Sequence, residues 1–212
     1  MRRTVAVCVS SLLLFSCAPT DPEVALPAAR RDGTVSLEAA LAKRRSVREL
    51  SPTPLSPQEI AQLAWSLQGE SAPGKRTAPS AGALYPLETY VATAEGFFHY
   101  LPSRHVLRRM GGTDLRGAIH DAALGQDVLA AAPAVFVVTG VEARTARKYG
   151  ARATRYVAME AGHAAQNLLL EATALGLGAV PVGAFDDDRL RRALGLSAEE
   201  TPLYLLPVGR PR

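Results

Sequence analysis

Cysteine is nearly absent from this chain. Its 212 residues contain two, Cys8 and Cys17, both within residues 1–17. If that segment is removed, the remaining domain has no free thiol and no internal disulfide, so its core must be self-sufficient in any redox compartment. Histidine is scarce too. There are four, and His99 and His105 have no partner set for zinc. Long hydrophobic runs are also lacking: Val5 to Phe15 is interrupted by Ser10 and Ser11 and falls short of the ~20 residues a bilayer span needs. Nor does one sign of charge dominate. Lys and Arg number 24 against 20 Asp and Glu, a formal +4, and without Arg2 and Arg3 the balance is 22 against 20, or +2. That balance argues against nucleic acid as a partner. No internal repeat or low-complexity block is visible.

What is present suits one domain of moderate size: 48 % of residues are apolar and 21 % charged, enough to bury a core. Residues 1–17 read as an export signal, with Arg2 and Arg3 before the apolar run and Leu14-Phe15-Ser16-Cys17 after it. The last four look like a bacterial lipobox, which predicts cleavage before Cys17, a lipidated Cys17 thiol and a protein held at the membrane of the cell envelope. A plain secretory signal with an incidental Cys17 is the alternative. Residues 18–34 contain Pro, Ala and Asp without hydrophobic periodicity and read as a flexible tether to a domain over 35–212.

Within that domain Ser36 can cap a helix over Leu37 to Arg45. Ser56-Pro57-Gln58-Glu59 carries an N-cap, a proline at the first helical position and a capping box, and Gly69 stops the helix that follows. Leu87–Ala94 and Phe97–Leu101 read as a hairpin about Glu95-Gly96. Helices follow around Leu115–Leu124 and Gln126–Ala131, then a buried strand from Ala134 to Thr139. A long helix is expected over Ala151–Leu175, ending at Gly176 or Gly178. A short extended segment at Ala179–Gly183, an Asp186-capped helix to Leu194 and a strand over Leu203–Val208 complete the chain. Helices and strands mix without regular β-α-β alternation, which favours an α+β layer fold.

The long helix is unusually polar. Arg152, Arg155, Tyr156, Glu160, His163, Gln166 and Asn167 lie along it, preceded by Lys148-Tyr149. Buried polar groups need partners. Glu160 and His163 have the i, i+3 spacing of a carboxylate-bridged metal bundle, but no second copy exists to complete one. An internal network of Glu160, His163 and Asn167 accounts for them instead, and no metal is expected. Four further stretches could carry chemistry. Arg44-Arg45-Ser46-Val47-Arg48 could clamp a phosphate, or be a solvated basic helix end. The small-residue stretch from Arg76 to Pro86 would let backbone amides approach a flat ligand, or be an ordinary loop. Gly178 to Phe185 could offer backbone N–H groups, and the chain closes on Gly209-Arg210-Pro211-Arg212.

In order, RRSVR, RTAPSAGALYPLETYV, KYGARATRY, EAGHAAQNL and GAFDDDRL resemble the nitroreductase family of flavin enzymes, and within it the SagB-type branch that includes azoline dehydrogenases. The resemblance spans about Leu37 to Arg210. It implies a nitroreductase-like fold, a central mostly antiparallel sheet flanked by helices, with FMN at a homodimer interface. On the matching positions Arg44, Arg45, Ser46 and Arg48 would hold the flavin phosphate and ribityl chain, joined by Arg210. Pro79, Ser80, Ala81 and Gly82 would lie against the isoalloxazine from the partner subunit, and Pro181, Val182, Gly183 and Ala184 would pass a backbone N–H to the reactive nitrogen. Lys148 and Tyr149 match a Lys–Tyr pair to which azoline dehydrogenases assign proton removal. Ala83 and Tyr85 depart from the Asn and Gln of typical nitroreductases, though they suit the SagB-type branch. The expected activity is hydride transfer between FMN and a small organic or quinone-like substrate, with NAD(P)H as one possible reductant. The alternatives are an azoline dehydrogenase acting on a modified peptide and a flavin- or ligand-binding lipoprotein without turnover.

Overall fold

The computed structural model describes residues 23–212. The export signal, Cys8, Cys17 and the lipid anchor expected there lie outside the described residues. The backbone is organised around an antiparallel sheet of eight strands: β1 (Glu23–Ala25), β2 (Leu50–Ser51), β5 (Leu87–Thr93), β6 (Gly96–Leu101), β7 (Val106–Gly111), β8 (Ala134–Val141), β9 (Gly178–Ala179) and β10 (Glu200–Pro211). Their order is β1-β7-β6-β5-β8-β10-β2, with β9 also on β10, and β3 (Glu70–Ala72) and β4 (Lys75–Arg76) form a separate hairpin.

All eight residues of β8 are buried because helices cover both faces of the sheet. Side-chain alternation then divides the core in two. Ala134, Phe136 and Val138 join Leu206 and Val208 of β10 under α2 (Pro57–Gln68) and α6 (Ala153–Ala174), where Leu63, Leu67, Leu168 and Leu169 pack. Val135, Val137 and Leu205 point the other way. They meet Ile119 of α3 (Arg116–Ala122), Leu129 of α4 (Asp127–Ala131) and Leu190 and Leu194 of α7 (Asp187–Leu194). At Gly140 a Cβ would stand 2.7 Å from Val157 Cγ1, so a side chain there would push α6 off the sheet.

Local signals act where the sequence places them. Ser36 Oγ accepts the Ala39 N–H at the start of α1 (Leu37–Lys43). Ser56 and Glu59 close the capping box of α2, and Asp186 caps α7. α6 ends at the left-handed Gly176.

Two expectations, the tether and the length of the last strand, are corrected. The tether does not extend to residue 34, because Glu23–Ala25 pairs with Val106–Arg108 as an edge strand, and Arg30 exchanges two hydrogen bonds with Gln62 on α2. Lys148 and Tyr149 precede the long helix, as expected, and belong to a helix of their own. They end α5 (Glu142–Tyr149), and Gly150 (φ 54°) and a single 3-10 turn separate them from α6. The last strand is longer than expected, twelve residues rather than six, with a bulge between Pro202 and Tyr204.

Candidate active site

The sequence-singled residues fall into two groups. The first lies on the rim of the sheet. α1 ends at Lys43, and the chain turns so that Ser46 bridges Ala179 and the Val47 N–H donates to Ala179 O at 3.0 Å. β9 in turn pairs Ala179 with Val208 and Gly178 with Gly209. Arg44, Arg45, Ser46 and Arg48 are thereby brought beside the segment Pro181–Ala184 and the end of β10. Val182 and Leu205 exchange backbone hydrogen bonds at 2.8 and 2.9 Å, which fixes that segment. Gly183 and Ala184 are exposed, and among the described residues their N–H groups meet no acceptor. Arg45 and Arg48 are exposed and Arg44 half-buried, and among the described residues none of the three forms an ion pair. Such a cluster of open cations beside open N–H groups suits an anion.

Arg210 reaches the same rim, opposite Ser51, but its guanidinium is engaged elsewhere. It donates to Glu59 at 2.9 and 3.3 Å and to Pro54 O at 3.3 Å. Burial pushes the Glu59 carboxyl up, but the Ser56 N–H and hydroxyl and the Arg210 charge together hold it below the ordinary value. Arg210 therefore ties the end of β10 to the capping box of α2.

The second group surrounds the loop from Thr77 to Pro86. Gly82, Ala83 (φ 54°) and Tyr85 (φ 45°) are left-handed, a conformation that L-residues hold only when their surroundings impose it. Several contacts do so here. Ser80 Oγ accepts the Tyr85 N–H at 2.9 Å, Arg144 of α5 donates to Tyr85 O at 3.2 Å, and the Arg76 guanidinium lies 4.9 Å over the Tyr85 ring. Lys148 and Tyr149 come down on this loop. A Cβ at Gly82 would stand 2.9 Å from the Tyr149 hydroxyl and 3.1 Å from Lys148 Nζ, so a side chain there would displace both groups, and the left-handed backbone favours glycine as well. Tyr149 packs edge-on against Tyr156 at 5.1 Å, which aims its hydroxyl at the loop from α6. The Lys–Tyr pair and Ser80–Gly82 thus meet within one chain.

α6 supports the loop from beneath. Asn167 Nδ2 donates to Thr77 O at 3.3 Å, and Glu160, 3 % exposed, lies under Ser80. Burial raises the Glu160 carboxyl to about 7, against the opposing pull of the Ser80 hydroxyl and the Arg76 charge. Beyond Arg76, Glu88 is bonded by both Arg144 and His99. Burial pushes its carboxyl up, but those two partners outweigh it and hold it low. His163 is exposed and takes no part, which corrects the expected network of Glu160, His163 and Asn167. Arg144, Glu88 and Gln68, which accepts from Arg76 at 3.0 Å, were not singled out in the sequence. α5 has no apolar stripe to reveal it as a helix, and Glu88 follows an unremarkable strand start.

A cavity of about 410 Å³ opens beside this group between residues 30–37, α2 and α6, with Trp65, Thr77 and Asn167 in its wall. Its size is that of a small-molecule pocket.

Three comparisons bear on this arrangement. The nitroreductase family model matches residues 41–210, which include both groups. A provisionally named nitroreductase of Methanocaldococcus jannaschii is 44 % identical over 183 residues, covering 83 % of this chain and 91 % of the relative. Among solved structures, a provisionally named nitroreductase of Ralstonia eutropha superposes with a TM-score of 0.83 at 28 % identity, over 92 % of each chain. An Escherichia coli microcin synthetase complex, McbBCD with truncated pro-MccB17 bound, shares the fold with a TM-score of 0.73 at 22 % identity, over 99 % of this chain and 85 % of its own. Fold, ordered motifs and a family match across most of the domain agree: the chain belongs to the nitroreductase family.

Proposed function

We propose that this chain is an FMN-dependent oxidoreductase that passes a hydride between flavin and a small organic or quinone-like substrate. The family typically uses flavin, and the residues present fit one. The observation that carries the reading is the rim, where Arg44, Arg45 and Arg48 lie without carboxylate partners among the described residues, beside the open N–H groups of Gly183 and Ala184. A dianionic phosphate matches that chemistry. When bound, FMN supplies the two-electron redox step.

The chain's own residues do the rest. Arg44, Arg45, Ser46 and Arg48 bind the phosphate end, with Arg210 holding the rim through Glu59. Pro181–Ala184 presents backbone donors, and Pro79–Gly82 offers a flat, side-chain-poor surface. Lys148 Nζ and the Tyr149 hydroxyl, held together over Gly82, are the groups that take or give a proton at the substrate. Reduction by NAD(P)H, or by a donor on the outer side of a membrane, completes the cycle.

The protein acts as a homodimer in this reading. Leu37 and Leu41 on α1 and Met159 on α6 are 61, 53 and 54 % exposed, apolar side chains that a second copy could cover. Sedimentation velocity of the domain tests that, and a monomer at micromolar concentration would count against it. The lipobox ending at Cys17 supports export and lipid anchoring to the cell envelope. Metabolic labelling with a tritiated fatty acid, lost in Cys17→Ser, is the corresponding test.

The absorbance spectrum after incubation with FMN and desalting tests the central claim. Flavin bands near the two visible maxima, bleached by dithionite and by at least one physiological donor, are expected. A colourless protein would sink the claim. A spectrum that no donor except dithionite bleaches would favour a binding lipoprotein.

The placement of Lys148 and Tyr149 over Gly82 favours one second reading, an azoline dehydrogenase acting on a modified peptide. Lys148→Ala would then abolish oxidation of an azoline-bearing peptide while flavin stays bound. No oxidation of such a peptide by the wild-type protein would remove this reading.

A further inference from the structure

Two buried carboxyls in this protein are treated differently. Glu200 is fully tied: Tyr90 and Thr139 donate their hydroxyls to one oxygen at 2.8 and 2.7 Å, and the Ser197 N–H reaches the other at 3.4 Å. Glu160 is more deeply buried, yet its Oε1 has no partner among the described residues. A carboxyl serving only the fold would be satisfied as Glu200 is, because an orphaned buried acceptor is destabilising. Glu160 lies under Ser80, the residue whose Oγ accepts the Tyr85 N–H and so pins the left-handed end of the loop.

We propose that Glu160 is a positioning residue for the loop beneath Lys148 and Tyr149. Ionised, it accepts the Ser80 hydroxyl proton and tightens the loop. Protonated, it releases much of that hold. The Tyr85 N–H donates to Ser80 Oγ at 2.9 Å, and an ionised Glu160 would draw the Ser80 O–H onto its carboxylate. A charge-assisted bond is roughly twice as strong as a neutral one, so the chain is firmest when Glu160 carries charge. Burial raises the carboxyl to about 7, which places its two states on either side of neutrality.

Other charged and titratable groups surround the loop. Arg76 faces Glu160 from the loop side, and Arg144, Lys148 and Tyr149 come from α5. Glu88 of β5, bonded to His99 of β6, lies beyond Arg76. On α6 itself Tyr156 packs against Tyr149, while Arg155 and His163 point to solvent. His99 is the other titratable side chain bonded into this region, through Glu88. The role of this loop in turnover rests on the flavin reading, but its positioning by Glu160 does not.

Hydrogen exchange of the Tyr85 amide, measured without flavin and corrected for the chemical exchange rate, tests the proposal. In the wild-type protein, protection should be about three- to tenfold greater at pH 8.5 than at pH 6, the worth of one hydrogen bond. Glu160→Gln should stay at the low-pH level throughout, and Ser80→Ala should erase the step with Glu160 intact. Equal wild-type protection at both pH values would overturn the proposal. So would a step that persists in Glu160→Gln, which would place its source outside Glu160. If Glu160→Gln does not fold, a step persisting in Ser80→Ala overturns it equally. FMN affinity measured separately by fluorescence keeps the two ideas apart: a loop step without flavin binding would sink the flavin reading and leave this one standing.

Discussion

Arg44, Arg45 and Arg48 stand at the rim of the sheet with no carboxylate beside them among the described residues, whereas Arg76 lies under a loop, bonded to Gln68 and stacked on Tyr85. The rim group is built from exposed side chains on a backbone that β9 and β10 already fix, so its cations can be given to a ligand. In the loop group nearly every charge is already committed. Arg144 holds Glu88 and Tyr85 O, His99 holds Glu88, and Ser80 holds Tyr85. One region therefore offers affinity and the other offers geometry. Substitutions at the rim should change how tightly flavin binds, and substitutions at the loop should change what happens once it is bound.

The sharpest division comes from Lys148→Ala. Turnover should fall about 10²- to 10⁴-fold, as for loss of a general acid or base, while flavin absorbance per protomer stays unchanged. Loss of flavin along with activity would erase the distinction. Next in size, Arg44→Ala or Arg48→Ala should weaken FMN binding about 10- to 100-fold by fluorescence titration, the worth of a charge-assisted hydrogen bond, with kcat at saturating flavin little altered.

Glu160→Gln bears on the buried side through stability. The folded-state carboxyl titrates near 7 against an ordinary 4.5, so the fold favours its protonated form. That contribution is fully present below pH 4.5 and is lost as pH rises through 7. The substitution should therefore raise the unfolding free energy at pH 8.5, by on the order of 1–3 kcal/mol in denaturant titration, with the gain vanishing towards pH 4. A gain that is independent of pH would show that the carboxyl does not titrate as its burial requires. Tyr85 should exchange faster in the same variant at pH 8.5, so global stability and loop order would move in opposite directions. Gly82→Ala is the smallest perturbation. The left-handed backbone should cost about 1–2 kcal/mol in denaturant unfolding, and the displaced Lys148 and Tyr149 should lower turnover more than FMN affinity.

Much of this was legible in the sequence, for reasons that differ by element. Ser56-Pro57-Gln58-Glu59 announced its helix because a capping box is a purely local device. Ala134–Thr139 announced its strand because a sheet covered on both faces demands an unbroken apolar run. β1 stayed hidden because three residues make no pattern, and their strand exists only through Val106–Arg108. α5 stayed hidden because its inward side is made of Thr145, Ala146 and Tyr149 rather than an apolar run, and its docking against α6 is tertiary. In the site, Arg44–Arg48 and Lys148-Tyr149 stood out as clusters. The engagement of Arg210 by Glu59 did not, since those residues lie 151 positions apart. His163 was misplaced because the i, i+3 step from Glu160 turns it towards solvent on this helix.

The short pieces at the margins of the sheet have a consequence of their own. β7 is covered by the three residues of β1, fastened through ion pairs of Glu23 with Arg104 at 2.6 Å and Arg108 at 3.6 Å. The far side of β10 is covered piecemeal by β2, β9 and Val182. An uninterrupted strand at either border would be a template for strands from other molecules. Here each border is broken into fragments too short to recruit one. The sheet cannot grow sideways, so copies of this protein can meet through their helices without polymerising through their strands.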